Sequence, residues 1–562
     1  MYSMIMTSAA PNPLPLSKPA PREVAGFKPC PWGDRFLDYT PADNKVIEAQ
    51  EKMAKELKEE LKKELQSIGD KPLIEQLRLI DSIERLGVAY HFEQEIEDAL
   101  RRIHETSTNT SFDDLALTSL FFRLLRQHGY RVSSDVFKEF IGSNGSLKDE
   151  VTNDVHALLS FYEACHLRLH GEGVLDEALS STESNLIKLV SDPNPLSEAL
   201  EERVKHALHK PLNKRLVRVE SVRYMQVYEE DDPLHNEALL KFAKLDFNLL
   251  QVLHKQELSE MCRWWKKVNM TKKMELRDRM VESYFWGSAV YYEPQFSLAR
   301  KCNVPGCQIL TTLDDLYDAY GTLEELHTFT DAVDKWDKSC LDQLPGDLRW
   351  TYQTLILDAH EEMERDFAPK GGSRYVYYAR EELKALCHSY LTEAKWRHEK
   401  YIPTLDEYME FVHRNMAYVP AVVYSFLGMD MATEAEFKWV SSLPKPIKSL
   451  CVLLRILNDI GGNMLVENRE HPCLILECYK KQYGLSHEGA CKRLIEEVDE
   501  LWKDLNEAMM QPTEIPMPLV KCILNLARAV EAIYDAGEDG FTTVNRPMKD
   551  NIRSLYIDPI LI

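Results

Sequence analysis

Leu115-Ala-Leu-Thr-Ser-Leu-Phe-Phe-Arg-Leu-Leu-Arg-Gln-His128, stopped at once by Gly129, is the stretch that sets the fold class. It belongs to a series of helical segments of about 10 to 20 residues between Lys71 and Val227, with others at 73–86, 91–104 and 153–169. Short punctuators separate them: Gly129, Gly142-Ser143-Asn144-Gly145 and Gly171-Glu172-Gly173. Runs of alternating polarity long enough for several strands are missing, β-branched runs are few, and the 562 residues hold only 22 glycines. The chain is therefore predicted to be all-α.

Upstream, residues 44–68 carry charges of both signs around Leu57, Leu61 and Leu65, the pattern of a solvated helix with one narrow apolar stripe. Before it, residues 1–30 are punctuated by Pro11, Pro13, Pro15, Pro19, Pro21 and Pro29, with Pro31 just past the edge, and read as an extended arm lying on a surface. Downstream, Glu229-Glu230-Asp231-Asp232-Pro233 reads as a charged linker ahead of a new apolar-periodic helix at 239–253. The expected organisation is an arm (1–30), a smaller helical domain (31–235) and a larger one (236–562).

Composition narrows the function classes. The formal net charge is −23, and a chain without a basic footprint is a poor match for nucleic-acid phosphates. Hydrophobic residues at 44% and charged residues at 28% suit a globular chain with a large core. The twelve cysteines are scattered without a Cys-x-x-Cys pair, which argues against a structural zinc site or a disulfide framework and for a reducing compartment. The apolar stretch 449–457 is broken by Arg455, far short of the roughly 18 apolar residues of a membrane span. The first ten residues carry no basic n-region, so the expected location is cytoplasmic.

The stretch that carries chemistry is Ile309-Leu-Thr-Thr-Leu-Asp314-Asp315-Leu-Tyr-Asp318-Ala-Tyr-Gly321. On a helix, Asp314 and Asp318 lie about 40° apart around the axis, so their carboxylates share a face, with Asp315 beside them. Oxygen ligands so placed suit Mg²⁺, which bridges a few carboxylates to substrate phosphates. The preceding run is apolar, as a diphosphate site at the mouth of an apolar cavity requires. A second candidate is Arg455-Ile-Leu-Asn458-Asp459-Ile-Gly-Gly-Asn463, continuing to Val466-Glu467. Arg277-Asp278-Arg279 adds two guanidiniums, which point about 200° apart on a regular helix and reach one phosphate together only from a helix end or a loop.

Together with Phe27-Lys-Pro-Cys-Pro-Trp32-Gly33-Asp34, Arg85-Leu-Gly-Val-Ala-Tyr-His-Phe92, Leu124-Leu-Arg-Gln-His-Gly-Tyr130 and Leu245-Asp-Phe-Asn248, these motifs make the chain resemble the plant class I terpene synthases over nearly its whole length. The resemblance is closest to the cytosolic sesquiterpene synthases. It implies two helical domains: an N-terminal α-barrel-like domain without activity of its own and a C-terminal α-bundle holding the site. It further implies three Mg²⁺ ions, or Mn²⁺ in their place, held through Asp314, Asp315, Asp318, Asn458, Gly462 and Glu467. By the same resemblance, Arg277, Arg279 and Arg455 take the leaving diphosphate of farnesyl diphosphate, Trp286, Tyr534 and Phe541 form an aromatic wall, and Asp539 holds Tyr534. The protein is then expected to be a monomer that releases diphosphate and makes a cyclic sesquiterpene hydrocarbon or alcohol. Retention or recapture of the diphosphate, use of geranyl diphosphate, and a degenerate binding protein without turnover are the alternatives.

The sequence also departs from that pattern. Ligand spacing counted from Asn458 falls on Gly462 and Val466, the last without a ligand oxygen, whereas counted from Asp459 it falls on Asn463 and Glu467, about 100° around the helix. A one-residue π-bulge at Gly461-Gly462 would bring Asn463 and Glu467 into phase with Asn458. Only Arg22 precedes Trp32, where a tandem arginine is usual, and Phe541 stands where a tyrosine is usual. Pro305-Gly306 is expected to kink or break the helix leading to Asp314.

Overall fold

The computed structural model describes residues 26–41, 44–107, 112–142, 147–191, 196–231, 235–268, 274, 276–463 and 474–562. Helices carry the architecture, and among the described residues the β-structure is a single bridge, Ile141 to Leu147. The stretch that opened the sequence forms the helix Leu115–Gln127, started by Asp114, whose side chain accepts from Ala116 N–H and Leu117 N–H. It packs against Val155–Cys165 and Leu73–Arg85. At its end Gly129 has φ +81°, and a Cβ there would stand 2.4 Å from the Met509 carbonyl oxygen. Glycine is required twice over, by the left-handed backbone and by the close approach of the C-terminal half. Gln511 N–H donates to the Gly129 carbonyl across the same seam at 2.8 Å.

The charged helix Asn44–Gln66 buries Ala54, Leu61 and Leu65 and lies along Glu237–Val268, the first long helix of the second bundle. The supposed linker at 229–233 is helical through Asp231, the end of the helix Val217–Asp231; residues 232–234 lie outside the described residues. In the second bundle, Met280–Val290, Ser297–Asp315, Tyr418–Phe426, Lys445–Asn463 and Met517–Ile533 pack around one another. Val376–Glu399 closes one side, against Tyr418–Phe426 and the turn that follows Asp315.

The expected break at Pro305-Gly306 does not occur: Ser297–Asp315 is one helix with Pro305 inside it. Proline removes one hydrogen bond, but packing holds the helix in place. A Cβ on Gly306 would meet the Tyr424 ring at 2.6 Å, and one on Gly287 would meet Val304 at 2.7 Å. Glycines on facing surfaces let the neighbouring helices press against the proline turn from two sides, so the same residues that weaken the helix locally let the bundle clamp it. Among the described residues, no helix is long and apolar enough to cross a membrane.

Candidate active site

The helix Ser297–Asp315 is almost wholly buried and delivers its acidic end to the surface. There it passes into a π-helical turn, Leu316–Tyr320. Asp315 is buried, Asp314 half-buried and Asp318 exposed. Arg277 lies in the loop before Met280–Val290 and Arg279 is the residue that starts that helix, which is the loop-and-helix-end placement that their spacing demanded.

The three aspartates differ in what they have left to offer. Asp315 uses both oxygens on Arg277: Oδ2 accepts the Arg277 N–H at 2.7 Å and Oδ1 its Nε at 2.6 Å. Asp314 gives Oδ2 to Arg277 Nη2 at 2.6 Å, and Asp318 gives Oδ1 to Arg397 Nη2 at 2.7 Å. Among the described residues no hydrogen bond engages the second oxygen of either. Asp314 and Asp318 thus keep the free oxygens that a cation needs, whereas Asp315 is the support of Arg277.

Charge is crowded here. Desolvation raises the Asp315 carboxyl to about 6 against the pull of Arg277, with Asp314 adding to the rise. Desolvation, then the charges of Asp314 and Glu393, raise Asp318 to about 7 against Arg397. The Asp318 side chain is nonetheless 51% accessible to solvent. Glu393 accepts from Asn415 Nδ2 at 2.9 Å and stands 4.0 Å from Arg455. Arg455 also donates to Asn415 Oδ1 at 2.9 Å and Asp459 at 3.3 Å.

Arg279 behaves differently from Arg277. It is fully buried, and its donors go to backbone carbonyls: Nε to Phe541 at 2.8 Å, Nη1 to Asp278 at 2.8 Å, and Nη2 to Thr542 at 2.8 Å and Lys28 at 3.1 Å. It fastens the N-terminal strap at Lys28 and the late loop at 541–542 to the start of one helix, with four of its five N–H groups on backbone carbonyls. Arg277 spans the same two segments through its faces, with its guanidinium carbon 5.6 Å from the Phe27 ring and 5.8 Å from Phe541. Its Nη1 donates to Thr542 Oγ1 at 3.0 Å.

Behind this charged rim lies an aromatic wall. Trp286 meets Phe541 edge to face at 5.4 Å and Tyr418 at 5.8 Å. Tyr534 ends the helix Met517–Ile533, and its hydroxyl is bonded by Asn458 Nδ2 at 3.0 Å. The expected partner, Asp539, instead accepts Phe541 N–H at 2.9 Å and Thr542 N–H at 2.8 Å and so shapes the late loop. Asn458 therefore faces Tyr534 while Asp459 faces Arg455, as a rotation of about 100° between successive positions requires. The helix Lys445–Asn463 continues through Gly462 without a π turn. Val466 and Glu467 lie outside the described residues, and with them the choice between the two ligand registers. Gly461 lets the late loop settle: a Cβ there would stand 3.1 Å from both the Glu538 carbonyl and Tyr534 Cδ1.

Four residues in this cluster carry no signature in the sequence: Glu393, Arg397, Asn415 and Tyr418. The first two come from a helix about 80 residues beyond the aspartates, and no local spacing announces them; the periodicity of Val376–Glu399 was the only available signal.

Comparison with known proteins agrees with this geometry. Residues 31–208 match the terpene synthase N-terminal domain, and residues 266–504 match the metal-binding domain of the terpene synthase family. A sesquiterpene synthase of Santalum spicatum is 44% identical over 548 residues, 96% of each chain, and a (-)-germacrene D synthase of Vitis vinifera is 42% identical over 97% of each. Among solved structures, a limonene synthase with 2-fluorolinalyl diphosphate superposes with a TM-score of 0.88 at 28% identity, covering 96% of this chain and 100% of that one. Isoprene synthase from grey poplar, solved with three Mg²⁺ ions and dimethylallyl-S-thiolodiphosphate, gives a TM-score of 0.84 at 31% identity over 91% of this chain and 98% of that one. The chain belongs to the terpene synthase family.

Proposed function

We propose that the protein is a cytosolic sesquiterpene synthase that ionises farnesyl diphosphate in the presence of Mg²⁺, cyclises the resulting carbocation and releases diphosphate. The observation that carries this is the junction of two unlike surfaces: a rim where Asp314, Asp318 and Glu393 crowd together, and an aromatic wall of Trp286, Tyr418 and Phe541 directly behind it. The cysteines described are all free, in keeping with a reducing compartment.

The donor set fits a hard divalent cation. Asp314 and Asp318 each keep one uncommitted carboxylate oxygen, and Asp315 and Asp318 are raised by desolvation first and by the neighbouring acids second. Asn458 and the Gly462 position through a water extend the ligand set in this proposal, with Glu467 added if the chain beyond Asn463 turns it back to the same side. Bound Mg²⁺ would supply charge neutralisation that makes diphosphate a better leaving group. Asp315 is assigned a different task, orienting Arg277 through both its oxygens.

The protein's own groups do the rest. Arg277 and Arg455, carried by different segments, receive the negative charge that grows on the diphosphate as the carbon–oxygen bond breaks and its electron pair leaves with oxygen. The faces of Trp286 and Tyr534 stabilise the allylic cation through the ring quadrupole, while Phe541 and the late loop keep water from quenching it. Arg279 serves this chemistry at one remove, holding the strap and the late loop together.

Purified protein incubated with farnesyl or geranyl diphosphate, with and without Mg²⁺, and analysed by gas chromatography and mass spectrometry before and after phosphatase treatment, tests the proposal. A cyclic C15 product that needs Mg²⁺ and no phosphatase supports it. A product seen only after phosphatase means that the diphosphate is kept, a product from the C10 substrate alone reassigns the substrate, and silence under all conditions overturns turnover.

A further inference from the structure

Arg397 has no part in the chemistry assigned above, yet it makes the most specific contact at the rim. It lies in the last turn of Val376–Glu399, whose residues Tyr390, Glu393 and Arg397 fall on one face at i, i+3 and i+7. Its neighbour Trp396 is wedged against Phe411 at 4.4 Å, and Tyr401 N–H donates to the Trp396 carbonyl at 2.8 Å, so the backbone carrying Arg397 is firmly seated. From there Nη1 donates to the backbone carbonyl of Asp318 at 2.7 Å and Nη2 to its Oδ1, also at 2.7 Å.

Asp318 needs such a support. It sits in the π turn Leu316–Tyr320, at a helix end where the last carbonyls have no intrahelical donor. A guanidinium gripping the carbonyl and the carboxylate of one residue satisfies the carbonyl and fixes the side chain relative to its own backbone. It takes one carboxylate oxygen and leaves the other. Asp314 is held more simply, by one bond from Arg277 Nη2 to its Oδ2.

We propose that Arg397 is a positioning residue for the reaction: it holds the π turn so that the free oxygen of Asp318 is presented to the cation, and it sets divalent-metal affinity without itself taking part in bond cleavage. This rests on the terpene synthase reading of the site. Supports of this kind around a metal ligand change metal affinity or activity by about 10–100-fold when removed. Lysine is a poor substitute, since an ammonium cannot fork across the carbonyl and the carboxylate as a guanidinium does.

The test measures half-saturating Mg²⁺ for turnover of farnesyl diphosphate, and separately the calorimetric binding of inorganic diphosphate at a series of Mg²⁺ concentrations. Wild type, Arg397→Gln, Arg397→Lys and Asp318→Asn are compared, with circular dichroism to check folding. The expected result is that Arg397→Gln needs at least about tenfold more Mg²⁺ in both assays, recovers most of its kcat at saturating metal and melts near wild type, with Arg397→Lys in between. A Mg²⁺ requirement unchanged in both assays overturns the proposal, as does a lowered kcat or a lost fold with no change in Mg²⁺ requirement, since a merely structural role would act that way. If wild type itself shows no Mg²⁺-dependent turnover, the functional reading falls; Mg²⁺-dependent diphosphate binding weakened by Arg397→Gln would still uphold the metal-positioning role of Arg397.

Discussion

Glu220 in the N-terminal half and Asp315 and Asp318 in the C-terminal half are carboxylates set among packed helices, and they are pushed in opposite directions. Burial would raise the Glu220 carboxyl, but Arg215, His206 and Arg85 more than reverse that and hold it well below the usual carboxylate range. Arg85 and Arg215 each reach it at 3.0 Å. At the rim the balance fails: Asp315 stands at about 6 and Asp318 at about 7 although each has its own arginine. A cleft of about 480 Å³ lined by both halves holds further paired arginines. Its Arg85, Arg123, Arg126 and Arg215 are each paired with a carboxylate already.

Breaking each side of that comparison gives the two largest effects. Asp314→Ala or Asp318→Ala should reduce product formation to background, while the melting temperature without metal stays level or rises, because a crowded negative charge has gone; a large fall in melting temperature would mean that these groups are structural. Glu220→Ala should do the reverse. It removes the buried carboxylate that Arg85 and Arg215 share, leaving Arg215 the longer contact to Glu163 at 3.5 Å, and should destabilise the protein by about 3–5 kcal/mol, measured by denaturant unfolding, with Mg²⁺ dependence unchanged in the protein that remains folded.

How much of this was visible in the sequence depends on how local the cause is. The helices at 73–86 and 115–128 emerged within a residue or so, because apolar periodicity and glycine stops act within a few residues. Pro305 was misjudged because its compensation comes from Tyr424, more than a hundred residues away. The same divide runs through the site. Asp314, Asp318 and Arg277 come to the rim as short motifs foretold, but the acids of one motif proved unequal, since only packing decides that Asp315 spends both oxygens on Arg277. For Arg279 the spacing points to a phosphate, whereas its present partners, the carbonyls of Lys28, Asp278, Phe541 and Thr542, come from segments no local spacing connects. Glu393 and Arg397 were out of reach, because an acid and a base on a long helix have no spacing that points to a third segment.

The comparison also sharpens with pH, since the two sides titrate with opposite sign. Glu220 has a lowered folded pKa, so its stabilisation is present above the ordinary glutamate range and is lost as pH falls below it. Asp318 has a raised one: its protonated form is favoured in the folded protein, so that contribution to metal-free stability is present at low pH and is lost as pH rises through about 7. Metal binding needs the ionised form, so half-saturating Mg²⁺ should increase by up to about tenfold per pH unit below 7 and level off above it. Mg²⁺ titrations of activity at pH 6, 7 and 8 measure this. A flat requirement across that range would mean that Asp318 is already ionised and that the rim is not short of positive charge.

The smallest effect concerns the seam where the rim is closed. Gly461→Ala puts a Cβ 3.1 Å from the Glu538 carbonyl and from Tyr534 Cδ1, so the late loop has to yield by a few tenths of an ångström. Overpacking of this size costs on the order of 1 kcal/mol of stability, so the protein should stay folded while the rate falls by less than in the aspartate variants. The informative quantity is the product mixture. Because Arg279 ties the late loop to the N-terminal strap, a loop displaced at Gly461 loosens both segments beside the aromatic wall, and water gains access to the cation. The fraction of acyclic alcohol should therefore rise as the total rate falls. A slower enzyme with an unchanged product mixture would place the closure elsewhere and leave the Arg279 clasp as a structural tie alone.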